Sequence, residues 1–87
     1  MDKQWVVYIL LCKDDTLYTG ITDNLKQRVA AHNAGKGAKY TRGRCPLKVV
    51  YVEHCADKSQ ALRREIQIKR LTREEKMALC RTYAEEE

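Results

Sequence analysis

The chain has 87 residues, enough for one domain spanning 1–87 with a core of its own and too few for a second module. Its formal charge is +5, from 17 Lys and Arg against 12 Asp and Glu. The absence of an apolar leader, of a membrane-length apolar span and of any C-x-x-C pair among Cys12, Cys45, Cys55 and Cys80 leads us to expect a soluble cytoplasmic protein with reduced thiols, away from membranes and without a zinc finger or ribbon.

Trp5 to Cys12 is an unbroken apolar run, followed by Lys13-Asp14-Asp15-Thr16 and a second run from Leu17 to Ile21, which reads as a β-hairpin. Side chains alternate across a strand, so the length of the turn decides which residues share a face. A two-residue turn would send Tyr8 and Tyr18 to opposite faces. A three-residue loop, Lys13-Asp14-Asp15, sets Cys12 opposite Thr16, Leu10 opposite Tyr18 and Tyr8 opposite Gly20, with Asp15 in the left-handed region that Asp tolerates better than most residues. One face then carries Trp5, Val7, Ile9, Leu11, Leu17, Thr19 and Ile21, a core face. The other carries Val6, Tyr8, Leu10, Tyr18, Gly20 and Thr22, where Gly20 is expected to leave an open patch beside two diagonal tyrosines. A ligand would fit there, although strand propensity and a bulge account for the same tyrosines and glycine.

Thr22 or Asp23 is the expected N-cap of a first helix over about 24 to 34, closed by Gly35. Leu25, Arg28, Val29 and His32 fall in one sector of it. Arg28 and His32 sit one turn apart at the border of the apolar stripe, where an arginine either covers the core with its stem and salt-bridges at its tip or offers phosphate oxygens its rigid fork of donors. From Asn24 to Val52 the chain holds Lys26, Arg28, Lys36, Lys39, Arg42, Arg44 and Lys48 and no acidic residue. Such one-sided charge points to a polyanionic partner such as nucleic acid, or else to a solvated basic surface. Residues 35–46, rich in glycine and basic side chains and including Tyr40 and the only proline, read as a loop.

Leu47 to Glu53 reads as a third strand. Asp57 with Gln60 then forms a capping-box signal for a second helix reaching about Leu71, and Thr72 with Glu75 forms another for a third. In the second helix Ala61, Leu62, Ile66 and Ile68 define the expected inward arc, with Glu65 near its middle and Arg63, Arg64, Gln67 and Arg70 outside. An inward carboxylate needs a cation: Lys69 one turn on, Arg28, or a divalent metal. The order ββαβαα predicts an α+β fold, a three-stranded antiparallel sheet flanked by helices.

Val7-Tyr8-Ile9, a spacer, Tyr18-Thr19-Gly20, an arginine eight residues later and a single glutamate on a later helix together resemble the GIY-YIG endonuclease superfamily. The pattern, with His32 and with Tyr40 in the basic loop, covers nearly the whole chain and looks closest to the short standalone branch, which also carries a GKGAKYTRG-like loop. The resemblance implies metal-dependent hydrolysis of a DNA phosphodiester, with RNA also open, by one Mg2+ or Mn2+ ion held by Glu65. A role in DNA repair or processing goes with it. It implies that Tyr8 activates water, Tyr18 and His32 orient the attack, Arg28 steadies the scissile phosphate and Gly20 is structural. Lys36, Lys39, Tyr40, Arg42 and Arg44 would bind the nucleic acid through phosphate contacts, which position without specifying sequence. With no appended domain, selectivity would follow substrate shape or come from a protein partner.

Tyrosine as the base has a cost: with a pKa near 10, about one molecule in a thousand is phenolate at pH 7, and half occupancy takes about 4 kcal/mol. Arg28 and a divalent cation would supply part of that, since a neighbouring positive charge shifts a pKa by about 1 to 3 units, whereas His32 needs no such help. The chain departs from the family pattern at Val7 and Thr19, where the motif names have glycine and isoleucine, at Ile21, where some members have lysine, and in lacking any asparagine after Asn33. A nucleic-acid-binding module that cuts poorly or not at all is therefore the competing expectation.

Overall fold

Why β1 is apolar along its whole length follows from its place in the sheet. In the computed structural model, which describes residues 4–36 and 47–86, β1 (Trp5–Leu11) is the central strand, with β2 (Leu17–Thr22) and β3 (Lys48–Cys55) on either side and both antiparallel to it. Val6 to Leu10 are all buried because both faces of β1 are covered, which removes the alternation a half-exposed strand would show. The fold is the expected α+β arrangement in the order ββαβαα.

The hairpin uses the three-residue loop. Asp15 takes φ +67, its amide donates to the Cys12 carbonyl at 2.9 Å, and the Cys12 amide donates to the Thr16 carbonyl at 2.8 Å. The resulting register sets Tyr8 opposite Gly20 and Leu10 opposite Tyr18. Against β3 the register shifts between Ile9 and Leu10, a bulge that leaves Val50 between the partners Tyr51 and Val49. The third strand runs to Cys55, two residues beyond the expected Glu53, because His54 and Cys55 still find partners in Val6 and Trp5.

Since β2 and β3 flank β1 and run parallel to each other, the chain between them must cross β1, and α1 (Leu25–Asn33) makes that crossing over the Tyr8 face. Leu25 and Val29 pack there against Val6, Tyr8, Leu10, Cys12 and Leu47. The N-cap is Asn24, not Thr22 or Asp23: its side chain accepts from the Gln27 amide at 3.2 Å, while the Thr22 hydroxyl accepts from the Asn24 amide at 3.1 Å. At the other end Gly35 has φ +76, its amide donates to His32 and that of Lys36 to Ala31, the paired bonds of a Schellman stop.

The opposite face of β1 meets α2 (Lys58–Lys69) and α3 (Arg73–Glu86), where Val7, Ile9, Tyr51, Ala61, Ile68 and Cys80 form the larger core. Asp57 accepts from the Gln60 amide at 2.8 Å, and Thr72 and Glu75 exchange both bonds of a capping box at 3.0 and 3.2 Å. The expected orientation of α2 needs correction. Ala61 and Ile68 are buried, but Leu62 and Ile66 face solvent, and Arg64, placed outside the arc by its helical spacing, is half-buried. The cause is a polar anchor: Arg64 Nε donates to both Glu53 oxygens at 2.8 and 3.1 Å, and the Tyr51 hydroxyl donates to the same carboxylate at 2.5 Å. That pairing turns the helix so that Arg64 rather than Leu62 meets the sheet. Burial first and the Glu53 carboxylate second push the Tyr51 phenol up to about 12.

Candidate active site

The three-residue loop puts Tyr8 and Tyr18 on the α1 side of the sheet, and the one-turn spacing of Arg28 and His32 on α1 brings both onto them. The Tyr8 hydroxyl lies 3.0 Å from His32 Nε2. Ring centroids are 6.3 Å apart for Tyr8 and Tyr18, 6.1 Å for Tyr8 and His32, and 5.2 Å for Tyr18 and His32, the two histidine pairs meeting edge to face. Arg28 interacts electrostatically with both phenols, with Tyr8 more than with Tyr18. Four of the five residues expected to do chemistry thus form one contiguous cluster.

Proton positions within it follow from what each group is able to do. A guanidinium only donates, so Arg28 favours the Tyr8 oxygen as an acceptor, and in the tautomer with Nε2 unprotonated the phenol's own hydrogen goes to His32. His32 is able to receive it: burial, and then the Arg28 charge, hold its pKa below the usual 6.5, so the ring is neutral at pH 7. Tyr8 moves the other way. Burial raises its pKa more than the Arg28 hydrogen bond lowers it, and the charges of Tyr18 and Glu65 add to the rise. The expectation that nearby positive charge would favour phenolate is therefore reversed within the protein itself, because desolvation outweighs the single guanidinium. The same bond holds Arg28 above its ordinary value.

Gly20 also reads differently in three dimensions. It leaves no open patch: a Cβ there would lie 2.7 Å from the Tyr8 hydroxyl, 2.8 Å from Tyr8 Cζ and 3.0 Å from Tyr18 Cε1. The ring of Tyr8 lies over the glycine and fills the space, and Tyr8 and His32 are both fully buried. Tyr18 and Arg28, by contrast, are partly exposed and form the accessible side of the cluster.

Glu65 comes from α2, on the stripe of Ala61 and Ile68, as its position in the sequence led us to expect. Its side chain is 18% exposed and meets Lys69 Nζ at 3.3 Å, and its charge is felt at Tyr8. The Lys69 side chain is 54% exposed, and an i,i+4 surface pair of this kind contributes about 0.5 kcal/mol, so displacing it costs little. Among the described residues no three or more His, Cys, Asp or Glu side chains come together. One hard carboxylate with access to water suits magnesium or manganese, which keep several waters, and the residues fit such an ion on that chemistry. His54 and Cys55, as neighbours on β3, point to opposite faces and do not share a ligand site.

Of the basic residues expected to hold nucleic acid, Lys36 is exposed just past the end of α1, while Lys39, Tyr40, Arg42 and Arg44 lie outside the described residues. Sequence reasoning missed Asn33: its side-chain oxygen accepts from the Leu47 amide at 2.9 Å, tying the end of α1 to the start of β3. Nothing in the sequence marks a bond between residues 14 apart.

A model of the GIY-YIG catalytic domain matches residues 4–78, which takes in the four clustered residues and Glu65. The chain belongs to the GIY-YIG family. Within that family its relatives are UPF0213 proteins: one from Oceanobacillus iheyensis is 51% identical over 99% of this chain and 100% of its own length, and one from Clostridium perfringens is 59% identical over 84% of this chain and 78% of its own. Solution NMR structures share the fold. A UPF0213 protein from Bacillus halodurans aligns with TM-score 0.56 at 45% identity, covering 87% of this chain and 81% of that one. A protein from E. faecalis aligns with TM-score 0.65 at 36% identity, covering 95% and 88%. This GIY-YIG domain therefore has a nuclease-like fold with the motif tyrosines, arginine and histidine in contact. No helix among its described residues is long and apolar enough to cross a membrane.

Proposed function

We propose that this GIY-YIG domain is a metal-dependent endonuclease acting on DNA phosphodiester bonds, selective for substrate shape rather than sequence. The observation that carries the reading is the 3.0 Å contact between the Tyr8 hydroxyl and Nε2 of a buried, neutral His32, with the Arg28 charge beside them, since a hydroxyl bonded to an unprotonated imidazole forms a ready path for a proton. Arg28 steadies a phosphate oxygen at the accessible side of the cluster, with Tyr18 beside it. Glu65 would hold one magnesium or manganese ion, which supplies charge neutralisation at the phosphate and leaving oxygens. Once the cluster opens to admit the phosphate, water attacks phosphorus and gives a proton to the Tyr8 oxygen, the Tyr8 hydrogen passes to His32 Nε2, and the P–O3′ bond breaks with the 3′ oxygen leaving. Neither proton transfer needs free phenolate, so the raised pKa of Tyr8 is compatible with its role as a relay and His32 is the terminal acceptor. Basic side chains after α1, Lys36 first, contact the backbone of the nucleic acid.

The complete burial of Tyr8 and His32 favours a second reading, a fold that holds nucleic acid but cuts it weakly, because a phosphate reaches those two groups only if the cluster opens. One experiment separates the two. The purified protein is incubated with single-stranded, duplex and branched DNA, with and without magnesium, beside Glu65→Ala and Tyr8→Phe. Magnesium-dependent cleavage lost in both variants supports the nuclease. Cleavage that survives Glu65→Ala removes that residue as metal ligand, and salt-sensitive binding without cleavage in any cation selects the binding module.

A further inference from the structure

Leu62 and Ile66 stand one turn apart on α2, 42% and 50% exposed, and are the large apolar side chains open to solvent among the described residues. Their orientation is fixed, because Ala61 and Ile68 hold one side of the helix in the core and Arg64 is bound to Glu53. At about 100° per residue the pair is bordered by Lys58 and Lys69 on one side and, past Ser59, by Arg70 and Arg63 on the other, all of them exposed. Glu65, the one acidic residue of α2, lies beyond Lys69 and Lys58 on the same side of the helix and is already matched by Lys69 at 3.3 Å. The face thus asks for a partner both apolar and anionic, and it is continuous with the carboxylate assigned to the metal.

A nucleic-acid strand with an exposed base meets both requirements, offering phosphates to Arg63 and Arg70 and to the outer sides of Lys69, paired with Glu65, and Lys58, which lies 5.5 Å from the centre of the Trp5 ring, and a flat apolar ring to the aliphatic pair. Continuous duplex offers such a face only phosphates and sugars, since its bases are stacked. We propose that Leu62 and Ile66 are the contact for an unpaired base of the strand that enters at Glu65, which makes DNA with unpaired bases the preferred substrate over continuous duplex. The inference deepens the nuclease reading and rests on it.

The test is fluorescence anisotropy with a labelled duplex and the same duplex carrying a central mismatched bubble, both in EDTA so that binding is read without cleavage. The wild-type protein is expected to prefer the bubble. The double variant Leu62→Ser/Ile66→Ser is expected to bind the bubble about tenfold more weakly, as burying half of each side chain implies, with duplex affinity, salt slope and unfolding midpoint unchanged. Equal affinity of the wild type for both probes, or equal loss on both in the variant, overturns the proposal, as does sedimentation showing a wild-type dimer that the variant dissolves with DNA binding intact. If the wild type cleaves DNA with magnesium and the variant keeps full bubble preference, the inference fails alone. If the wild type binds neither probe at low salt, the nuclease reading fails with it.

Discussion

Replacing Gly20 by alanine tests whether the glycine exists to admit the Tyr8 ring. The new methyl would stand 2.8 Å from Tyr8 Cζ and 2.7 Å from its oxygen. Carbon atoms rest at about 3.5 Å or more, so the ring must withdraw by about 0.7 Å or β2 must move away from β1. Neither is free: Tyr8 is fully buried, its hydroxyl is bound to His32 at 3.0 Å and to Arg28, and Gly20 is paired with Tyr8 in the ladder. Overpacking of this kind costs about 1–3 kcal/mol, and in a domain of this size each kcal/mol lowers Tm by about 4–8 °C. Tyr8→Phe by itself removes the shared hydroxyl and leaves His32 and Arg28 short of a partner, a loss of about 1–3 kcal/mol. In the double variant the closest contact is gone but the ring carbon remains. Equilibrium urea denaturation of the four proteins should therefore show the two substitutions costing less together than the sum of their separate costs, by about 0.5–1 kcal/mol. A Gly20→Ala variant as stable as the wild type, or strict additivity in the cycle, would refute the packing argument.

The depressed pKa of His32 means that protonation favours the unfolded chain, so stability should be fully present above about pH 6.5 and decline as pH falls through the lower folded value; urea midpoints measured across that range in the wild type and in His32→Gln should show a slope that the variant lacks. Tyr51 behaves oppositely, because its folded pKa is raised to about 12: its contribution is intact below pH 10, the unfolded value, and is lost as pH rises toward 12, and Tyr51→Phe should flatten that alkaline decline in circular-dichroism titrations. Thr72→Ala removes one half of the capping box at the start of α3 and should lower stability by about 1 kcal/mol, read from chemical denaturation, with the Glu75→Ala/Thr72→Ala pair less than additive.

Several features were legible in the sequence because their causes are local. The three-residue hairpin loop was one of two turn lengths the sequence allowed, with Asp15 the residue suited to positive φ. The stop at Gly35 and the Thr72–Glu75 box depend only on residues within about five positions of one another. Glu65 was legible too, since its place between Ala61 and Ile68 sets it on the buried side whatever lies opposite. The motif tyrosines, Arg28 and His32 resembled a family that the match over residues 4–78 then showed.

What the tertiary structure alone decided are matters of which partner lies across the interface. The hydropathy of α2 allows either Leu62 or Arg64 to face inward, and only the Glu53 carboxylate on β3, itself bound by Tyr51, turns the arginine in and leaves Leu62 and Ile66 outside. Gly20 signalled an open patch in one dimension, but the antiparallel register laid the Tyr8 ring across it. The protonation of the site was decided the same way. A phenol beside an arginine reads as an acidified tyrosine until α1 closes over it, after which desolvation outweighs the charge, keeps Tyr8 protonated and leaves a neutral His32 to take the proton.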